Sequence, residues 1–162
     1  RHVEEFGHTL GEELLTPTRV YAADLLSLIR TPGIDIHALS HVTGGGLAAN
    51  LARVLPRGSY ARVDRSTWTP PAVFEVIGAL GRVPRSDLER TLNLGIGFVA
   101  VLPAAHAAAA EQVCRARGIP AWVLGEVGEE ATWTPQPDVE VTRGAKGVDG
   151  GAVQVVGEHP KP

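Results

Sequence analysis

The chain has no methionine, one cysteine and an aromatic content of only 5 % across 162 residues. A lone Cys114 excludes an internal disulfide framework and fits a reducing compartment. Without methionine, Arg1 is not a start site, and the expectation is a processed chain or a piece of something longer. Long apolar runs are missing too. The nearest to the ~18 uninterrupted residues a membrane helix needs is residues 94–110, broken by Gly95, Gly97, Pro103 and His106. No basic segment leading into an apolar one opens the chain, so no secretory signal is expected. Lysine occurs only as Lys146 and Lys161, and the net charge is −3. No clustered basic face points to nucleic acid. These absences together predict a soluble, cytoplasmic protein with neither membrane nor nucleic-acid partners.

What remains is ordinary globular composition: 44 % hydrophobic and 20 % charged. The 19 glycines and 12 prolines stay below the ~25–30 % share at which disorder becomes the better description. Residues 1–15 alternate charged and apolar side chains and read as an incoming arm. Thr16 before Pro17 reads as an N-cap with proline at the first helical position. Ala22, Leu25, Leu26 and Ile29 then supply a helical face ending near Pro32-Gly33. Residues 34–42 read as a strand, and Gly44, Gly45 and Gly46 open a helix with the face Leu47, Leu51, Val54 and Leu55. Residues 59–64 alternate as a strand. Pro70-Pro71 starts a helix carrying Val73, Phe74, Ile77 and Leu80, and residues 84–92 form another short helical piece.

Residues 96–102 are continuously apolar and read as a fully buried strand. An alanine-rich helix covers 104–117, stopped by Gly118, and residues 121–127 read as a strand. Residues 139–142 and 152–156 pair as late strands around a glycine-rich turn, and 158–162 form a frayed tail. Helices alternating with strands predict an α/β (α+β) fold with a mixed sheet and flanking helices. No internal repeat is present.

The stretch His41-Val42-Thr43-Gly44-Gly45-Gly46 leaves a strand and enters a helix. Consecutive glycines let backbone N–H groups approach a ligand, and a helix N-terminus favours an anion there. Thr43 either caps the helix or offers its hydroxyl to a phosphate oxygen. A bare strand-to-helix turn is the alternative. His37 and His41 have the spacing of paired metal ligands on a helix, but on a strand they stand ~13 Å apart, too far for one ion. No metal ligand is therefore expected. His41, beside the glycines, is placed to hydrogen-bond a substrate or, alternatively, a neighbouring carbonyl. Asn93 precedes Gly95 and Gly97 at the mouth of the apolar strand, where its amide reaches a cleft or merely builds a turn.

The Gly-x-Gly there precedes a strand and lacks a third glycine, so it is no dinucleotide fingerprint. No P-loop or Gly-x-Ser-x-Gly occurs. Cys114, within the alanine-rich helix, reads as an inert packed thiol. Glu12, Glu13 and Asp64 read as solvated charges, and Trp68, Trp122 and Trp133 as packing groups.

Several segments in order resemble one family. Thr9-Leu10-Gly11, then residues 14–21, then His41 to Gly46 are similar to the phosphoribosylformylglycinamidine cyclo-ligases, the aminoimidazole ribonucleotide synthetases of purine biosynthesis. Asn50, residues 53–56, Trp68, Pro71, Phe74, residues 90–93 and Gly95-Ile96-Gly97 follow with similar spacing. The likeness covers about residues 9–128. It departs at Ala49, where many relatives carry glutamate, and at Ala52, where proline is common, which puts a carboxylate role in that helix in doubt. Residues after about 130 have no clear counterpart and read as a lineage-specific extension.

The resemblance implies the C-terminal domain, at residues 16–157, of a two-domain enzyme whose N-terminal ATP-binding domain is absent from this chain. The family closes the imidazole ring of formylglycinamidine ribonucleotide with ATP and Mg2+, which the N-terminal domain mainly binds, in a cleft between domains. It implies a homodimer for the full-length protein and an inactive isolated domain. It assigns substrate or phosphate contacts to His41, Thr43, Gly44, Gly45 and Gly46, with support from Asn93, Thr18 and Arg19, and names no general base. Alternatives are a sister ATP-using enzyme of the formylglycinamidine ribonucleotide amidotransferase or selenophosphate synthetase type, or a stand-alone nucleotide-binding or interaction module.

Overall fold

A computed structural model describes residues 2–144 and 149–161. A two-stranded ribbon and a four-stranded sheet organise it. The strands β3 (Ala38–His41) and β5 (Phe98–Val101) form a two-stranded ribbon with Ser40 opposite Val99 and His41 opposite Phe98. A second sheet runs in the order β6 (Gly125–Glu129), β4 (Ser59–Asp64), β8 (Ala152–Val156), β7 (Val141–Arg143). Only the β4–β8 pair is parallel, so the sheet is mixed. The α/β architecture with a mixed sheet and flanking helices is the one expected.

Between ribbon and sheet lies α3 (Gly46–Val54), which touches β3, β7 and β8. Leu47, Leu51 and Leu55 recur every four residues, so one helical stripe enters the core together with Val42, Ala61, Val63, Ile96 and Val153. Val54, expected on that stripe, is exposed. A smaller cluster on the ribbon's other face joins Leu28 of α2 (Ala22–Arg30) to Ala110 and Val113 of α6 (Ala107–Ala116). The surface helices α4 (Ala72–Gly81) and α5 (Arg85–Thr91) complete the domain.

Several expectations are corrected. Residues 1–15 do not run as a plain arm: β1 (His2–Val3) pairs with β2 (His8–Thr9), and α1 (Leu10–Leu14) follows. In α1, Thr9 and Glu12 form a reciprocal capping box. Thr16 does not cap α2, because α2 begins only at Ala22 with Tyr21 at the N-cap position; the Thr16 hydroxyl instead donates to the Glu12 carbonyl and closes α1. The expected face of α2 is rotated, with Leu28 buried while Leu26 and Ile29 stay 45 % and 48 % exposed. On α4 no residue is buried, and Leu80 is 83 % exposed.

The apolar strand is shorter than expected and half-buried along its length. The strand expected at 121–127 begins only at Gly125, where Asp64 N donates to the Leu124 carbonyl and pairing with β4 starts. Beyond residue 130 the chain supplies an inner strand of the sheet: Ala152, Val153, Gln154 and Val156 of β8 are buried. The Gln154 amide accepts from Tyr60 and from Gln136 N, and donates to the carbonyls of Gln136 and Val139. The glycine-rich turn expected between the last strands includes residues 145–148, which lie outside the described residues. The tail does not simply fray, since His159 packs against Trp68.

Candidate functional site

The strand β3 delivers His41 to the end of the ribbon, and Val42 N donates to the Gly97 carbonyl at 2.9 Å, pinning the chain just before the glycines. His41 stacks on its cross-strand partner Phe98, with ring centroids 5.4 Å apart and an interplanar angle of 14°. The Tyr21 ring stands edge-on to His41 at 6.2 Å. Tyr21 reaches this place only because residue 97 is glycine: a Cβ there would lie 1.8 Å from the phenol oxygen. His41 is exposed, as are Thr43, Gly44 and Gly45.

The turn itself is built from both sides. Gly45 and Gly46 have φ of 101° and 72°, in the left-handed region. Gly46 N donates to the Thr43 carbonyl at 3.2 Å. Behind the turn sits buried Asn50, whose Nδ2 donates to the carbonyls of Gly46 at 2.7 Å, Thr43 at 3.3 Å and Gly44 at 3.4 Å. Its Oδ1 accepts from the Arg53 guanidinium. The orientation of this amide is forced, since arginine only donates and carbonyls only accept. With the carbonyls gathered inward, the N–H groups of Gly44 and Gly45 have no protein acceptor among the described residues. The arrangement can accept an anionic oxygen at the N-terminus of α3. Sequence reasoning named Asn50 and Arg53 only as matching positions, not as the frame of the turn.

The supporting residues stand differently. Asn93 uses Oδ1 to accept from Gly95 N at 3.1 Å, a turn-building role. Thr18 and Arg19 are exposed in the irregular segment before Tyr21. Among the described residues, no hydrogen bond joins Asn93, Thr18 or Arg19 to the glycine turn. No group of three or more His, Cys, Asp or Glu side chains suited to a metal occurs among the described residues, so none is assigned to Mg2+. Burial pushes the Cys114 thiol above its ordinary pKa, with Asp24 and Glu111 adding to the effect, which suits packing rather than nucleophilic attack.

Two clefts lie away from the turn. One of about 350 Å³ is bordered by Arg115, Ile119 and Trp122. The other, about 550 Å³, is bordered by Arg65, Arg85, Glu89 and His159. Neither cleft includes the glycine turn, whose Thr43, Gly44 and Gly45 are exposed. No helix among the described residues is long and apolar enough to cross a membrane.

The comparisons with known proteins agree with one another. Residues 1–135 match the family described as AIR synthase related protein, C-terminal domain. A putative phosphoribosylformylglycinamidine cyclo-ligase of Streptomyces fradiae is 47 % identical over 159 residues, 98 % of this chain and 79 % of that protein. A phosphoribosylformylglycinamidine cyclo-ligase of Anaeromyxobacter sp. (strain Fw109-5) is 46 % identical over 75 % of this chain and 35 % of its own length. One from Sorangium cellulosum is 47 % identical over 77 % of this chain and 36 % of its own. The chain therefore spans little more than a third of these last two relatives. With the matched segment carrying both the ribbon and the glycine turn, the chain belongs to the AIR synthase related proteins, as their C-terminal domain.

Proposed function

We propose that this domain forms one wall of the active site of a phosphoribosylformylglycinamidine cyclo-ligase, with His41, Thr43 and the Gly44–Gly46 turn holding phosphate or the substrate's polar groups. The names of the relatives reported above supply the reaction class. The observation that carries the site is the pair of unengaged N–H groups at Gly44 and Gly45, with Asn50 drawing the carbonyls behind them. Such a nest offers donors and the positive end of a helix to a phosphate without needing a lysine.

In this reading ATP transfers its terminal phosphoryl group to the formyl oxygen of formylglycinamidine ribonucleotide. An internal nitrogen then attacks the carbon, and phosphate leaves as the ring closes. The turn holds a phosphate oxygen by two backbone donors, Thr43 adds a hydroxyl, and His41, kept in place by Phe98 and Tyr21, bonds a polar substrate group. Asn93, Thr18 and Arg19 line the approach. ATP and its magnesium belong chiefly to a preceding ATP-binding domain, the full-length protein is a cytoplasmic homodimer, and the isolated domain is inactive.

The test is to supply the full-length gene product with formylglycinamidine ribonucleotide and Mg-ATP and follow ADP and the aminoimidazole product together. Matched appearance supports the reading. ADP without the aminoimidazole, or neither from folded protein, overturns it.

A further inference from the structure

Outside the glycine turn, the imidazole of His159 is a nearly enclosed titratable group. The His159 side chain is 6 % exposed and packs edge-on against the Trp68 indole, with centroids 4.4 Å apart at 82°. Its Nδ1 lies 3.1 Å from the Trp68 carbonyl, which can only accept, so Nδ1 carries the proton. In the neutral ring Nε2 then keeps its lone pair. Nε2 is buried without a hydrogen-bond partner among the described residues, and Glu89 Oε1 stands 4.0 Å away.

Glu89 is already held. Arg65 donates to its two oxygens at 2.8 Å and 2.6 Å, and Arg85 Nε stands 3.8 Å off. Arg65 also donates to the carbonyls of Val155 and Gly157, so the same guanidinium fastens the start of the closing segment. The other charged groups around the 550 Å³ cleft are Glu75, bonded to Arg85, and Glu158 and Lys161 of the segment itself. Asp64, beside Gly157, accepts from Ser66 N.

We propose that residues 157–161 form a proton-released latch: neutral His159 clamps the segment onto Trp68, and protonation of His159 frees it. A neutral imidazole suits the place, with one satisfied donor and an apolar contact to indole. Protonation creates a second N–H with no acceptor within hydrogen-bond reach. It also puts a cation in a buried position beside Arg65 and Arg85. Reaching Glu89 would mean competing with Arg65, which also holds the segment's carbonyls. Either route loosens the latch.

The latch backs both segments that border the turn. Trp68 Nε1 donates to the Leu94 carbonyl at 3.1 Å, next to Asn93, and the Glu89 carbonyl abuts Gly46. Burial holds the histidine below its ordinary pKa, so the released ring binds protons more readily than the clamped one. The closed form is complete above the ordinary histidine value of about 6.5 and is lost as pH falls through it towards the lower clamped value.

The experiment follows the full chain by NMR from pH 8 to pH 5. The expected result is that the Trp68 indole N–H shift moves with the midpoint of the His159 ring titration. Exchange of the His159 and Lys161 amides should rise at least tenfold beyond its intrinsic pH dependence. His159→Gln keeps a donor for the Trp68 carbonyl but does not titrate, and should abolish the transition at Trp68. A flat Trp68 signal through the His159 titration, or the same transition in His159→Gln, overturns the latch. Should that variant fail to fold, agreement of the two midpoints in the unaltered chain decides.

Discussion

Gly46 rests so close to Glu89 that a Cβ on the glycine would stand 1.8 Å from the Glu89 carbonyl oxygen. The contact seats the first residue of α3 against α5 and leaves no room for any side chain. Since Gly46 also has φ of 72°, Gly46→Ala should cost at least ~1–3 kcal/mol in backbone strain alone. Gly44 has open space around a Cβ and no positive φ, so Gly44→Ala should leave stability nearly unchanged. Urea unfolding of the two variants checks this contrast. Equal midpoints would mean the turn is not packed as described.

Asn50 tests the frame of the turn separately from its packing. Asn50→Asp keeps the shape and the Arg53 contact but replaces the donor facing three carbonyls with an acceptor. Losing those bonds to backbone carbonyls should cost about 1–3 kcal/mol where they stay buried and unpaired. The expected outcome is a lower unfolding midpoint together with weaker inorganic phosphate binding. Unchanged phosphate affinity would show that the inward carbonyls do not matter to the ligand.

Beyond the segment matched by the family, residue 154 carries the closing strand. Gln154 is 1 % exposed and serves Tyr60, Gln136 and Val139 at once. Gln154→Ala leaves buried polar partners unpaired at about 1–3 kcal/mol for each group affected. A chain ending at residue 135 lacks β7 and β8 entirely and should not fold cooperatively. Circular dichroism through a thermal ramp distinguishes these cases, and a sharp native-like transition in the shortened chain would refute the role given to β8.

Thr43 offers the one hydroxyl in the turn. Removing a hydrogen bond to a charged group costs about 1.5–3 kcal/mol, roughly 10- to 100-fold. Thr43→Val in the full-length gene product should reduce turnover by that factor while its unfolding midpoint holds. Unaltered kinetics would remove Thr43 from the site.

Much of this was legible in residue order. The glycine run and the spacing of Leu47, Leu51 and Leu55 locate α3 and its buried face without reference to anything distant. The Thr9 and Glu12 pair also carries a legible capping signal, masked by charges that suggested an arm. Thr16-Pro17 misleads because α2 begins only at Ala22, well past it, and the Thr16 hydroxyl closes α1 by donating to the Glu12 carbonyl. The place of β8 was not legible: pairing with β4 joins residues more than ninety positions apart, and local pattern carries no register. Nor does a lone Asn50 announce that it will gather three carbonyls, since those groups belong to the backbone rather than to residue identity. Asn93 was legible in both its readings, and its Oδ1 takes the turn-building one by accepting from Gly95 N.

The most direct measurement is an amide chemical-shift map of the full chain titrated with formylglycinamidine ribonucleotide. Saturable shifts at Thr43, Gly44 and Gly45, with the cleft of Arg65 and His159 unaffected, are the result expected of a substrate-holding turn. Shifts confined to that other cleft, with the glycine amides still, would contradict the assignment of the site.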